Sequence, residues 1–463
     1  MTDEPAPKPR KPRAKTPVVP EAASDREVPQ DRRPRPNKQD PATDREVPKG
    51  RQPRPGKKIM PNLLDIPPPP RRARATDIAV IGAGPTGLAV ALMLARQGRR
   101  VMVHERFETP RPVGAGFLLQ PTGLHVLDRL GLTPAVEACG QPINHIFGRE
   151  ARGGRVVLDV RYSDLKQPRQ AIGIHRAAMF AILHDACVEA GVDFETGREI
   201  VAADGGRLVD SAGRRSAAFN LVIDASGARS PIAAGMGADR RDLAWGALWT
   251  TVPWPGAPFD PTALEQVYLG ATRMLGVLPC GARPDDPARL ATFFWSLKTE
   301  IWPDWYALGL ETWKDHCLRL WPELTPVMDA ITDREQMTLA AYSHHTLPGP
   351  CGDRLAVLGD AAHSTSPQLG QGVNMGFLDA LALADALTQH RDLADALPAY
   401  ARARRWHVRL YQALSLGFTP FYQADGRLLP WVRDHVLGKV ARAPLAPRLL
   451  AATVSGLLLD PRR

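Results

Sequence analysis

Ile78-Ala-Val-Ile81 runs directly into Gly82-Ala-Gly84-Pro-Thr-Gly87, and this junction decides how the rest of the chain is read. Four apolar residues with no polar interruption suit a strand buried on both faces. Thr86 to Gln97 follows with an apolar face at helical spacing, and Arg100 to His104 is a second short apolar run. Strand, GxGxxG turn, helix and strand make one βαβ unit. Gly82 permits the tight turn, Gly84 lets the backbone approach a pyrophosphate, and Gly87 lets the helix pack on the strand. The amino end of the helix, where Thr86 sits, attracts phosphate charge. Glu105 ends the second strand, 18 residues after Gly87, where a carboxylate can accept hydrogen bonds from ribose hydroxyls, and Arg106 adjoins it. The pattern predicts a dinucleotide site. It does not separate FAD from NAD, which share the ADP half.

A second glycine-rich stretch makes that separation. Leu355 to Leu358 reads as a strand, followed by Gly359-Asp360-Ala-Ala-His363-Ser-Thr-Ser-Pro367-Gln-Leu-Gly370-Gln-Gly372-Val373-Asn374-Met-Gly376-Phe-Leu-Asp379-Ala380. Glycines at 370 and 372 allow main-chain contact with a flat ring. A helix from Val373 to Gln389 directs its positive end toward it, which favours an anionic reduced ring.

This segment resembles the para-hydroxybenzoate hydroxylase superfamily of single-component FAD monooxygenases, whose members read GDAAH, then Pro, then GxGxN. The resemblance implies that Asp360 binds the ribityl chain, that the Gly370 to Asn374 backbone reaches the flavin pyrimidine edge, and that Pro367 borders the substrate side of the ring. Two further matches extend it over residues 77 to 390. Pro112 to Leu119, with Gly114 and Gly116, resembles the loop beside the isoalloxazine. His175-Arg176 resembles the element whose arginine contacts the ribityl and phosphate region. One stretch departs from the family: Ala225-Ser226-Gly227-Ala-Arg229-Ser230-Pro-Ile-Ala233 has Ser226 where the family has Asp and Ala233 where it has Arg. Asp224 is displaced by two residues and is not counted as the missing acid. This departure puts the family's use of NADPH in doubt.

The fold expected from the resemblance is α/β: a Rossmann-like FAD-binding domain of the hydroxylase type with an inserted antiparallel-sheet substrate domain and C-terminal helices. The boundaries predicted are a tail over 1–76, FAD-binding domain over 77–240 and 346–395, substrate domain over 241–345, and a helical region over 396–463. Leu248 to Val252, Gln266 to Leu269, Arg273 to Leu278 and Ala291 to Ser296 read as the inserted strands. Of Trp249, Trp254, Tyr268, Phe293, Phe294 and Trp295, alternation sends half toward a pocket.

The activity implied is hydroxylation of an aromatic or other electron-rich small molecule, using non-covalent FAD, NAD(P)H and dioxygen through a flavin C4a-hydroperoxide. No catalytic acid or base stands out. Three other readings stay open: a double-bond reductase, a halogenase, and a flavin-binding scaffold. The halogenase signature Trp-x-Trp-x-Ile-Pro is not matched by Trp302-Pro-Asp-Trp305.

Composition bounds the partners. Residues 1 to 76 hold 18 of 45 prolines, no aromatics, and 19 Lys or Arg against 10 Asp or Glu, so +9 of the net +10 lies there. Such a stretch cannot bury enough apolar surface to order itself, and Asp25 to Pro29 recurs as Asp44 to Pro48. The near-neutral body is not expected to bind nucleic acid. Five dispersed cysteines predict neither disulfides nor a metal site. No signal peptide or ~20-residue apolar span is read, so a cytoplasmic protein is expected. The region from Leu428 to Leu459 is read as a cover for the substrate domain, with membrane-surface contact as the lesser option.

Overall fold

The computed structural model describes residues 77–109, 114–167, 169–426, 428–437 and 443–459. The tail over 1–76, with its expected disorder, and Pro112 and Val113 of the flavin-side loop lie outside the described residues.

Ile78–Ile81 lies inside a six-stranded sheet, paired in parallel with Val101–His104 on one side and Leu221–Asp224 on the other. Leu355–Val357 extends the sheet beyond Leu221–Asp224, and Asp193–Glu195 extends it beyond Val101–His104. Cys351–Gly352 is the antiparallel edge strand. Both faces are covered, which is why Ile78, Val80, Val222 and Ile223 can be uniformly apolar. Helices α1 (Pro85–Arg96), α2 (Pro121–Arg129), α3 (Arg176–Glu189) and α4 (Gly372–Gln389) pack on one face, with Leu88, Leu92, Met179 and Phe377 in the shared core. A small sheet over residues 200–218 and the short helix Pro231–Gly235 cover the other.

The second large sheet has seven strands in the order Thr338–His344, Arg241–Pro253, Leu290–Lys298, Arg273–Pro279, Ala263–Leu269, His145–Glu150 and Val156–Arg161. Its central strands fall where the sequence predicts them. Its far edge does not. His145–Arg161, assigned from sequence to the FAD-binding domain, supplies the last two strands, and His145–Glu150 pairs in parallel with Ala263–Leu269. The sequence-based substrate segment also holds helices at 302–308, 310–320 and 325–329, whose Trp305, Trp313 and Val327 cover one face of the sheet.

The opposite face carries Trp249, Tyr268 and Phe294, while Phe293 and Trp295 join the helix-covered core and Trp254 packs against it. The register Trp249↔Phe294 and Thr250↔Phe293 fixes this split, because neighbours along a strand point to opposite faces. Helix α5 (Leu393–Tyr422) and helix α6 (Ala446–Val454) complete the described fold. No described helix is long and apolar enough to cross a membrane.

Candidate functional site

The glycine turns sit at the carboxyl ends of parallel strands, the end at which open α/β sheets bind ligands. Gly82 has φ +98°, and a Cβ there would lie 2.7 Å from the Ala225 carbonyl oxygen. At Gly87 a Cβ would fall 2.0 Å from the Gly82 carbonyl oxygen, so helix and strand touch through backbone. Gly84 is different, since nothing lies within 4 Å of where its Cβ would be. Its absent side chain leaves open space, as approach to a pyrophosphate requires. The Glu105 carboxylate accepts from the Ala83 N–H at 2.8 Å and from the Phe107 N–H at 3.1 Å. It braces the glycine turn and keeps lone pairs for further donors. Arg106 is exposed beside it, 4.8 Å over the Phe107 ring.

The later turn begins at Gly359, whose φ of +60° only glycine adopts readily. Thr86 joins the two motifs: its Oγ1 lies 2.9 Å from the Cβ position of Gly359 and 2.1 Å from that of Gly376. Beneath the turn, Asp379 of α4 is fully buried and accepts from the Gly359 N–H at 2.8 Å and from Arg404 Nε at 2.6 Å; His363 Nε2 lies 2.6 Å away. Burial alone would raise its pKa, but His363 and Arg404 more than offset this and hold Asp379 well below the carboxylate range. The buried anion fixes the turn that carries Asp360.

Asp360 and Arg176 lie within reach of each other's charge. Each is open to water, yet each is otherwise walled in by protein. Desolvation therefore raises the Asp360 pKa against the pull of His363 and Arg176, and lowers that of Arg176 against the pull of Asp360 and Tyr342. Gly372 borders Asp360, its Cβ position 3.6 Å from Oδ1. Gly114 borders Arg176, its Cβ position 3.2 Å from Nε. The guanidinium also lies 5.3 Å over the Phe117 ring. Open space at Gly84 and small residues flanking one cation and one anion form a cradle that side chains would fill. These residues fit a dinucleotide with its sugar chain and ring.

The loop Pro367–Leu369 is one 3₁₀ turn ending at Gly370, φ +60°, and Val373 stands in the first turn of α4. The Asn374 side chain is wholly internal: Oδ1 accepts from the Gln120 N–H at 2.9 Å, and Nδ2 donates to the Leu118 and Gly370 carbonyls. It shapes the loop. Gly116 is tightly packed, its Cβ position lying 2.7 Å from Cys280 Cβ and from Thr292 Oγ1.

At the departure from the family pattern, Asp224 is fully buried and accepts from the Ser226 N–H, from Ser226 Oγ at 2.6 Å and from Ser230 Oγ. It fixes the turn and offers no exposed acid.

Two aromatic residues were not singled out together by the sequence. Trp249 Nε1 donates to the Tyr342 hydroxyl at 2.7 Å, and Tyr342 feels the charge of Arg176, so the sheet reaches that arginine. Burial keeps the Tyr342 phenol protonated, against the opposing effects of Trp249 and Arg176.

Comparison with known proteins agrees with this geometry. Residues 75–411 match the family model described as an FAD binding domain. A 2-heptyl-3-hydroxy-4(1H)-quinolone synthase of Mycobacteroides abscessus is 30% identical over 385 residues, covering 79% of this chain and 94% of that protein. Kynurenine 3-monooxygenase of Salinispora tropica is 27% identical over 441 residues, covering 83% and 95%. Among solved structures, Klebsiella pneumoniae HpxO complexed with FAD and uric acid superposes with a TM-score of 0.70 at 21% identity, covering 83% of this chain and 98% of that one.

Proposed function

Because this chain belongs to the para-hydroxybenzoate hydroxylase-like family of FAD-dependent monooxygenases, we propose that it hydroxylates a small, neutral or phenolic aromatic compound with NAD(P)H as electron donor. The observation that carries the reading is the contact of the two glycine turns through Thr86, with Asp360 and Arg176 exposed and within reach of each other's charge.

When bound, FAD supplies nicotinamide oxidation and dioxygen activation at its ring. The chain's part is to bind, orient and exclude water. Gly82 to Gly87 and the start of α1 would hold the pyrophosphate, with Glu105 and Arg106 at the adenosine ribose. Asp360 would accept hydrogen bonds from the ribityl hydroxyls, and Arg176 would meet the ribityl and phosphate oxygens beside Gly114. The backbone of Gly370, Gly372, Val373 and Asn374 would line the pyrimidine edge, where the positive end of α4 favours negative charge. Pro367 would border the substrate. Tyr342 accepts from Trp249, which leaves its own proton free to donate to a substrate oxygen, orienting the ring for attack.

The test is NAD(P)H oxidation by the FAD-loaded protein across phenols, aromatic acids and aromatic amides, with products analysed under ¹⁸O₂. The expected result is a product carrying one labelled oxygen. Stimulated oxidation that yields only hydrogen peroxide for every compound would refute hydroxylation of this class. Oxygen-independent turnover would favour the reductase alternative.

A further inference from the structure

A cavity of about 240 Å³ lies between the strand residues Leu243, Trp245 and His344 and the last turns of α5, where Leu416, Thr419 and Pro420 line it. Ser366, the residue before Pro367, also borders it, which places the cavity beside the loop that would face the flavin ring. His344 stands two residues from Tyr342 on one strand, so both side chains leave the same face, roughly 7 Å apart along the strand. The cavity therefore begins one same-face position beyond Tyr342, whose hydroxyl would donate to a substrate oxygen. Leu416 is 61% exposed, so the cavity opens to solvent beside it.

The walls offer hydrocarbon and no free charge. Leu243, Leu416, Pro420 and the face of Trp245 are apolar, and no Lys, Arg, Asp or Glu is among the described lining residues. The hydroxyls are already engaged: Thr419 Oγ1 lies 2.8 Å from Ser366 Oγ and 2.6 Å from the Ser415 carbonyl oxygen. Both amide atoms of Gln423 are inaccessible and give the cavity nothing polar. Two cations stand near, and each has its own carboxylate. Lys298, 6.0 Å from the Trp245 ring centre, pairs with Asp425 at 2.6 Å, and Arg241, within reach of His344, pairs with Asp239 at 2.9 Å. Burial, with His345 and Arg241 nearby, lowers the His344 pKa and favours the neutral imidazole.

We propose that this cavity receives an uncharged, apolar substituent of the substrate, a hydrocarbon chain or ring carried opposite the oxygen that meets Tyr342, and turns away a substituent ending in a carboxylate. The inference rests on the hydroxylase reading and adds to it the side of the substrate away from Tyr342. Burying such a group against Leu243, Trp245 and Pro420 removes apolar surface from water, worth about fourfold in affinity for each methylene. A carboxylate in the same place would leave water and find no unpaired cation, a loss larger than the chain's gain, so the cavity selects against it.

The experiment uses the full chain loaded with FAD and titrated with the series from 4-methylphenol to 4-butylphenol and with 3-(4-hydroxyphenyl)propionate, which matches 4-propylphenol in length. Binding is read by calorimetry, and turnover from stimulated NAD(P)H oxidation. Affinity should rise about two- to fourfold with each methylene, and 4-propylphenol should bind about a hundredfold or more tighter than the propionate. Leu416→Lys brings a cation to the mouth of the cavity, at an exposed position where a longer charged side chain does not disturb the core. It should narrow the gap between those two ligands by about tenfold, with flavin content unchanged. Equal affinities for the two on the unmodified protein, or a series that does not strengthen with chain length, would overturn the proposal, and neither comparison needs a variant to fold. An unchanged gap in Leu416→Lys would place the chain elsewhere and overturn it as well. Graded binding without any stimulated NAD(P)H oxidation would support the cavity and count against the hydroxylation reading.

Discussion

Gly376→Ala sets two effects of opposite sign against each other. Gly376 lies inside α4, where exchanging glycine for alanine stabilises a helix by about 0.5–1 kcal/mol. Its new methyl would stand 2.1 Å from Thr86 Oγ1 and 3.2 Å from Thr86 Cβ. Overpacking of this kind costs about 1–3 kcal/mol, so the clash should win and leave a net loss of up to about 2.5 kcal/mol. Thr86→Ala removes Oγ1 and Cγ2, and the remaining 3.2 Å contact needs a shift of only a few tenths of an ångström. In that background Gly376→Ala should be neutral or stabilising, giving a coupling energy of about 1–3 kcal/mol. The assay is urea unfolding of all four proteins without FAD, so that ligand linkage does not enter. Additive effects, or a Gly376→Ala protein more stable than its parent, would show that the two glycine motifs do not touch as described.

Gly84 and Gly87 should separate cofactor binding from folding. Gly84→Ala meets open space, so unfolding should change by under about 0.5 kcal/mol while FAD affinity drops; Gly87→Ala, 2.0 Å from a backbone oxygen, should destabilise the fold itself. Equal stability losses in the two variants would contradict these assignments. Asp360→Ala should weaken FAD by about tenfold to a hundredfold, the worth of charge-assisted hydrogen bonds, measured by dialysis against the free flavin; normal affinity would remove Asp360 from the ribityl site. His407, buried and neutral with Nε2 3.0 Å from the Gly456 carbonyl oxygen, is pushed down to about 4 by burial and by Arg404. Between its ordinary value of 6.5 and about 4 the unfolded chain binds a proton that the folded one does not. Stability is thus complete above pH 6.5 and falls as pH drops toward 4, by about 3 kcal/mol in all. His407→Gln should make the acid limb shallower by one proton between pH 4.5 and 6.5, checked by urea midpoints; an unchanged slope would place the titration elsewhere.

The first βαβ unit is legible because its signals are local: an apolar tetrapeptide, glycines at fixed offsets, and an acid at the next strand end. The stretch from Gly359 to Ala380 is legible for the same reason. Alternation also explains why Phe294 leaves one face of its strand and Phe293 and Trp295 the other. Non-local pairing is what escapes. His145–Arg161 carries His, Arg, Glu and Asp among its apolar residues, and nothing within it says that its partner begins at Ala263. Arg404 stands in an arginine-rich run from 402 to 405 with nothing local to mark it, yet it is 3% exposed against Asp379. The dense motif does not say which way the Asn374 side chain points or what packs on Gly116. Only the three-dimensional neighbours show that the Gly116 N–H donates to Thr292 Oγ1 and that the Asn374 side chain accepts from the Gln120 N–H.

That distinction changes how the C-terminal helices are understood. Gln371 Nε2 donates to the Val454 carbonyl, Thr122 Oγ1 to that of Ser455, and the Tyr411 hydroxyl to that of Thr453 at 2.9 Å. Gly456, φ +79°, passes so near that a Cβ would stand 2.5 Å from Thr122 Oγ1 and 3.0 Å from Gln371 Oε1. The backbone after α6 is therefore pressed against the loop that would face the flavin ring, while Arg404 of α5 neutralises the aspartate beneath the Gly359 turn. A loop rich in glycine has little side-chain packing to hold its own shape and would open locally at low cost. Here its rigidity comes from residues some 80 positions later in the chain, so preorganisation of the ring site is a property of the whole α4–α5–α6 assembly and not of the motif that marks it in the sequence.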